Sequence, residues 1–192
     1  MRGTVTPQLG ARGRTQRAIL SAAASVLARN RTATLADIAK AADVGRSTLH
    51  RYFPDREELL GAVVEDSLRV VGESVQGAAL EQGPPLEAMR RLVAAMVDAG
   101  DHLLFLFGDS RTLEALEDKP DPAARAVIDL IERGQAAGVF DSTLTAAWIQ
   151  QVLWSLVYAG CEAVASSRLP RHGAPSTVIR TLENGIVTER DQ

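Results

Sequence analysis

Between Thr34 and Phe53 the sequence reads TLADIAKAADVGRSTLHRYF, and its last third gathers residues able to do chemistry. If Arg46 to Tyr52 is helical, Leu49 and Phe53 fall at i and i+4 and point inward. Arg46, Ser47, Thr48, His50 and Arg51 are then left for solvent or a groove. Guanidinium, hydroxyl and imidazole groups reach base edges and phosphates, and a helix of this size fits the major groove of duplex DNA. Arg46 suits a two-bond grip on guanine or a clamp on phosphate. A helical hairpin with a polar outer face has the same spacing, so the surrounding charge must separate the two readings.

That charge is segregated. Residues 1–54 carry nine Lys and Arg against Asp37 and Asp43, a balance of +7, while the whole chain sums to −3. A basic head on an acidic body points to a polyanion held at one end, because clustered cations release phosphate counterions. No reaction centre competes with this reading. GESVQG at 72–77 misses the nucleophile-elbow spacing, His50, His102 and His172 lack carboxylate partners in sequence, and no glycine-rich phosphate loop or HExxH occurs. Asp98, Asp101 and His102 are spaced for one helical turn, but beside Gly100 they read as surface residues rather than metal ligands. The sequence reading thus assigns no catalytic residue, metal or cofactor.

The elements that must position these donors follow from capping and periodicity. Thr34 with Asp37 is a capping-box signature, ahead of a stripe of Leu35, Ile38 and Ala39. A break at Asp43, Val44 and Gly45 precedes the short helix Arg46 to Tyr52. Asp55 then caps a fourth helix, with Glu58 three residues on and Leu59, Leu60, Val63 and Val64 behind, running to about Ala79. A first helix is expected from about Arg14 to Arg29, with Ile19, Ala22, Ala23, Val26 and Leu27 on one face. After Gln82 to Pro85, a helix places Leu86, Met89, Leu92, Val93 and Met96 together. Further helices are expected at His102 to Phe107, Pro122 to Ala137, Thr145 to Ser166 and Ser176 to Glu189. No stretch alternates with period two, and with 4% aromatic residues the composition suits an all-α protein.

The chain has 192 residues, 46% hydrophobic and 23% charged, enough to bury a core. A single cysteine, Cys161, excludes an intramolecular disulfide and suits a reducing cytoplasm. MRGTVTPQLGARGR has no continuous apolar run and reads as a mobile arm, residues 1–13, rather than a secretory signal. Residues 142–161 are uncharged, but Gln150, Gln151 and several hydroxyls argue against a membrane span. Trp148, Ile149, Val152, Leu153, Trp154, Leu156, Val157 and Tyr158 spread around that helix, which reads as buried on several sides.

From Arg14 to Leu60 the chain resembles the DNA-binding domain of TetR-family transcriptional regulators. Their pattern, TxxDIAxxAGVSxGTLYxxF with an FxxKxxL restart, aligns without a gap on TLADIAKAADVGRSTLHRYFPDREELL. Asp43 stands where the family has a turn glycine, Gly45 where it has a capping serine, and His50 where it has a tyrosine. The resemblance implies a DNA-binding set of Arg14, Thr34, Gly45, Arg46, Ser47, Thr48, His50, Arg51, Tyr52 and Arg56. In it Thr34, Tyr52 and Arg56 hold the DNA backbone, and Arg12 and Arg14 enter the adjoining minor groove or add unspecific attraction. Tyr52 as ordinary packing is the alternative.

The resemblance divides the chain into a helix-turn-helix domain at 14–60 and a helical effector-binding and dimerisation domain at 61–192. It implies a homodimer on double-stranded operator DNA, its contacts made by the Trp148 to Cys161 helix and by Val178, Ile179, Leu182 and Ile186; these faces could instead complete the monomer core. A pocket would be framed by Met89, Val93, Met96, His102, Phe105, Trp148, Gln151, Val152 and Ser155. The expectation is a cytoplasmic repressor released from its operator by a small apolar or aromatic effector. A ligand-independent architectural DNA binder and a helical enzyme are the alternatives.

Overall fold

A computed structural model describes residues 10–108 and 122–186. Among the described residues the chain forms nine α-helices and no strand. It divides into two compact units, a head at residues 1–66 and a body at residues 67–192.

In the head, α1 (Ala11–Arg29) buries Ile19, Leu20, Ala23, Ala24 and Leu27. Leu20 and Ala24 thus take the inward places expected of Ala22 and Val26, which are half-buried. The helix starts at Ala11 rather than Arg14, with Arg14 N–H donating to the Gly10 carbonyl at 3.2 Å. First-turn N–H groups have no partner within a helix, so Gly13 costs little there. Residues 11–13 of the expected arm are therefore helical, and residues 1–9 lie outside the described residues. Next come α2 (Leu35–Ala41), α3 (Arg46–Tyr52) and α4 (Arg56–Gly77). Asp55 accepts from the Glu58 N–H at 2.9 Å, as a cap of α4 should. The unit boundary falls inside α4 rather than at 60/61. Leu59 and Val63 are buried, and the fully buried Ser67 places its Oγ 3.0 Å from Nδ1 of His102 in the body.

The body contains α5 (Pro85–Asp98), α6 (Gly100–Phe107), α7 (Pro122–Ala136), α8 (Ala146–Ala165) and α9 (Ala174–Ile186). Helix α8 packs against α5, α6, α7 and α9. It buries Ile149, Leu153, Val157, Gly160 and Cys161 on one face, while Trp148 on another is 52% exposed. The expectation of burial on several sides is corrected accordingly. Val178, Leu182 and Ile186 of α9 also belong to the protomer's own core, which removes them from the expected dimer contact. Two arginines bind the segment after α4. Arg91 donates to the carbonyls of Ala78, Ala79 and Gln82 at 2.7–2.8 Å, and Arg133 to those of Leu80 and Gly83 at 2.6 and 2.8 Å. These bonds satisfy carbonyls that a helix end and loop would leave open. No helix among the described residues is long and apolar enough to cross a membrane.

Candidate nucleic-acid interface

Local hydrogen bonds fix both ends of α2. The Thr34 hydroxyl accepts from the Asp37 N–H at 3.2 Å, and the Thr34 N–H donates to Asp37 Oδ2 at 2.8 Å, completing the capping box. The Thr34 hydroxyl also donates to Oδ2 at 2.7 Å. These bonds, the hydroxyl's first and the N–H second, hold the Asp37 carboxyl below its ordinary value. At the other end of α2, Asp43 adopts φ 53°. Its N–H reaches the Lys40 carbonyl at 3.2 Å, and the Val44 N–H reaches that of Ala39 at 3.0 Å. Aspartate tolerates the left-handed region better than most residues, so the turn forms without the glycine.

Leu49 and Phe53, 1% and 4% exposed, anchor α3. Arg46, Ser47, His50 and Arg51 are exposed, and Thr48 and Tyr52 are half-buried. Gly45 caps α3 without a side-chain bond. A Cβ there would meet nothing closer than Ser47 Oγ at 3.8 Å, so the space would accept a serine. His50 Nδ1 lies 3.2 Å from the Pro54 carbonyl, which can only accept, so Nδ1 carries the proton and Nε2 is left for solvent. The Tyr52 ring meets two guanidinium groups, those of Arg12 and Arg51, each 5.8 Å from its centroid. Among the described residues Arg46 and Arg51 make no ion pair. Their charge is free to meet an anion.

Three residues of the expected DNA-binding set sit differently. The Arg56 guanidinium is turned inward, donating to the carbonyls of Ala33 and Arg31, the latter at 2.6 Å. It ties α4 to the connection between α1 and α2, a carbonyl-rich segment whose pull on a guanidinium motif spacing does not reveal. Both donors of Thr34 are spent on Asp37, so its role in this fold is to cap α2. Arg14 lies on the exposed side of α1, on a helix rather than an arm.

The body brings few of the expected pocket residues together. Met89, Val93, Met96 and Phe105 are buried core, while Trp148, Gln151 and Ser155 are exposed along α8, away from buried Leu153 and Val157. Val152 is half-buried, and so is His102, which is held by Ser67. Cavities open among the described residues of this unit. One, of about 330 Å³, is lined by Phe107, Trp154, Ser155 and Tyr158. A second, about 510 Å³, is lined by Leu68, Val75 and Gln76 of α4, by Glu81 in the connection after it and by Ala126 of α7. A third, about 220 Å³, is lined by residues that include Leu80, Asp129, Leu130 and Arg133. Ser155 is the one expected residue lining any of these three. The i, i+4 spacing of Trp154 and Tyr158 was the available sequence signal for the first; nothing in sequence linked Phe107 to them. Among the described residues no three His, Cys, Asp or Glu side chains group as metal ligands.

Comparison with known proteins fits this geometry. The model described as bacterial regulatory proteins, tetR family, matches residues 19–63, which span the helix-turn-helix. The chain is 38% identical over 181 residues to the HTH-type transcriptional repressor LfrR of Mycolicibacterium smegmatis, covering 93% of this chain and 94% of the relative. The chain belongs to the TetR family. It is a DNA-binding transcriptional regulator with an N-terminal helix-turn-helix and a helical C-terminal region. A second TetR-family relative, the HTH-type transcriptional regulator NfxB of Pseudomonas aeruginosa, is 31% identical over 173 residues, 88% of this chain and 89% of NfxB. The crystal structure of LfrR in complex with proflavine matches with a TM-score of 0.71 at 35% identity, covering 94% of this chain and all (100%) of that one. The ketosteroid regulator KstR2 of Mycobacterium tuberculosis, 18% identical with a TM-score of 0.73 over 96% of this chain and 100% of its own, shares the fold.

Proposed function

We propose that this TetR-family protein is a cytoplasmic repressor that grips operator DNA as a homodimer and leaves it when a small apolar or aromatic molecule enters its body. The observation that carries the DNA contact is the exposed row of Arg46, Ser47, His50 and Arg51 on a helix fixed from behind by Leu49 and Phe53. Thr48 and Tyr52 flank that row, Gly45 opens it, and Arg14 lies on the exposed side of α1. The dimer reading rests on the outer face of α8, where a tryptophan 52% exposed calls for a partner surface. Two short readers on a two-fold axis bind far better than one. An effector is supported by the proflavine complex of LfrR and by the cavities in this chain's body.

Genomic footprinting tests the reading. Discrete occupied sites near promoters, lost in Arg46→Ala and cleared by an effector, are expected. Even occupancy indifferent to Arg46 would instead mark an architectural DNA binder.

A further inference from the structure

We propose that His50 is a specificity-determining residue whose Nε2, a hydrogen-bond acceptor with no proton to give, selects the amine of an adenine or cytosine in each half-site. The inference rests on the regulator reading above and assigns one position of its operator.

The His50 imidazole is exposed, and among the described residues its one hydrogen bond joins Nδ1 to the Pro54 carbonyl at 3.2 Å. A carbonyl only accepts, so the neutral ring keeps its proton on Nδ1 and turns a bare lone pair on Nε2 outward. The opposite tautomer would set two lone pairs against each other at Pro54. Tyrosine, which the family pattern has at this place, carries a hydroxyl that donates and accepts alike. Histidine held in this way does not. The other exposed side chains of α3 differ again: Arg46 and Arg51 only donate, and Ser47 can do both.

In the major groove phosphate oxygens, guanine N7 and O6, and thymine O4 accept; the donors are the amines at adenine N6 and cytosine N4. A lone pair is repelled by the first group and held by the second. Contact between His50 and phosphate would need a second proton on the ring, and two cations already stand beside it to meet phosphates. Arg46 lies one turn before His50 on the same side of α3, and Arg51 follows it. No other charged group of the head bonds the imidazole. On α2 and its turn these groups are Asp37, held by Thr34, with Lys40 and Asp43. At the start of α4 they are Asp55, which caps the Glu58 N–H, Arg56, turned to Ala33 and Arg31, and the carboxylates of Glu57 and Glu58. From α1, Arg12 reaches the Tyr52 ring. The guanidinium groups of α3 thus meet acceptors on DNA, and the ring between them meets a donor.

The test titrates the full chain against the duplex it selects from a random pool. Each adenine or cytosine of a half-site is exchanged in turn for purine or 2-pyrimidinone, which lack only the amine. At one position the exchange should weaken the parent protein about tenfold and leave His50→Leu unaffected. Lowering the pH from about 8 to 6 favours the imidazolium, whose Nε2 repels an amine, so the parent should weaken relative to His50→Leu. His50→Gln keeps an acceptor that does not titrate and should show no such slope. Losses equal in parent and His50→Leu at every position would overturn the assignment and leave the regulator reading standing. So would parent affinity that rises relative to His50→Leu as pH falls, the mark of an imidazolium on phosphate. A pool left unenriched by the parent would overturn both.

Discussion

Arg46 and Arg51 are exposed on α3 and make no ion pair among the described residues. Arg168, by contrast, is engaged by Ser166 at 2.9 Å and by Glu162 at 3.4 Å, far along the chain from α3. Arg46→Ala and Arg51→Ala are each expected to weaken operator binding by about 1–3 kcal/mol, and Arg168→Ala to leave it unchanged. A salt-dependent titration separates base from phosphate contact, because loss of a phosphate contact also flattens the salt slope. Asp37 offers a test of the scaffold behind them. Its pKa is lowered in the folded state, so its contribution is present above the ordinary carboxylate range and is lost as pH falls through the lower folded value. Asp37→Asn should therefore lower the thermal midpoint at neutral pH, with the gap from the parent protein closing in acid. A gap independent of pH would contradict that origin. At this scale sequence was a partial guide: the exposed side of α3 was legible from Leu49 and Phe53, but the inward turn of Arg56 was not, because carbonyls leave no trace in side-chain patterns.

Among the elements, α1 and α3 meet at an aromatic ring. Tyr52 presents one ring to Arg12 and Arg51, so it positions two cations, one from each helix. Tyr52→Leu is expected to weaken operator binding. In a double-mutant cycle with Arg12→Ala the losses should sum to less than the two separately, and strict additivity would show that the ring does not position Arg12. A second test lies at the end of α7, where a Cβ on Gly134 would stand 2.1 Å from the Phe140 ring. Phe140 is among the most buried side chains, so Gly134→Ala should cost about 1–3 kcal/mol or more in a denaturant titration. Among the described residues the existence of each α-helix was legible, because caps and 3.6-residue periodicity are local. Which apolar face meets which was not. Val178, Leu182 and Ile186 suit a dimer seam and a protomer core equally well, and only the packing of α9 on α8 assigns them to the core.

On the scale of the whole molecule, the charge gradient and family pattern forecast a basic reader joined to an acidic helical body, with α4 contributing residues to both units. The cavity beside Phe107 was hidden in the sequence, since its walls come from α6 and α8, helices separated by dozens of residues. If two protomers join through the outer face of α8, sedimentation at micromolar concentration should give a dimer, and Trp148→Glu a monomer with weakened DNA binding. The claim that unites these parts is that paired α3 helices read a two-fold operator. Selection from a random duplex pool by the purified protein tests it most directly. The expected result is an inverted repeat whose half-site centres lie about 34 Å or a multiple apart, with enrichment abolished by Arg46→Ala. A single unrepeated half-site, or a pool left unenriched by the parent protein, would contradict it.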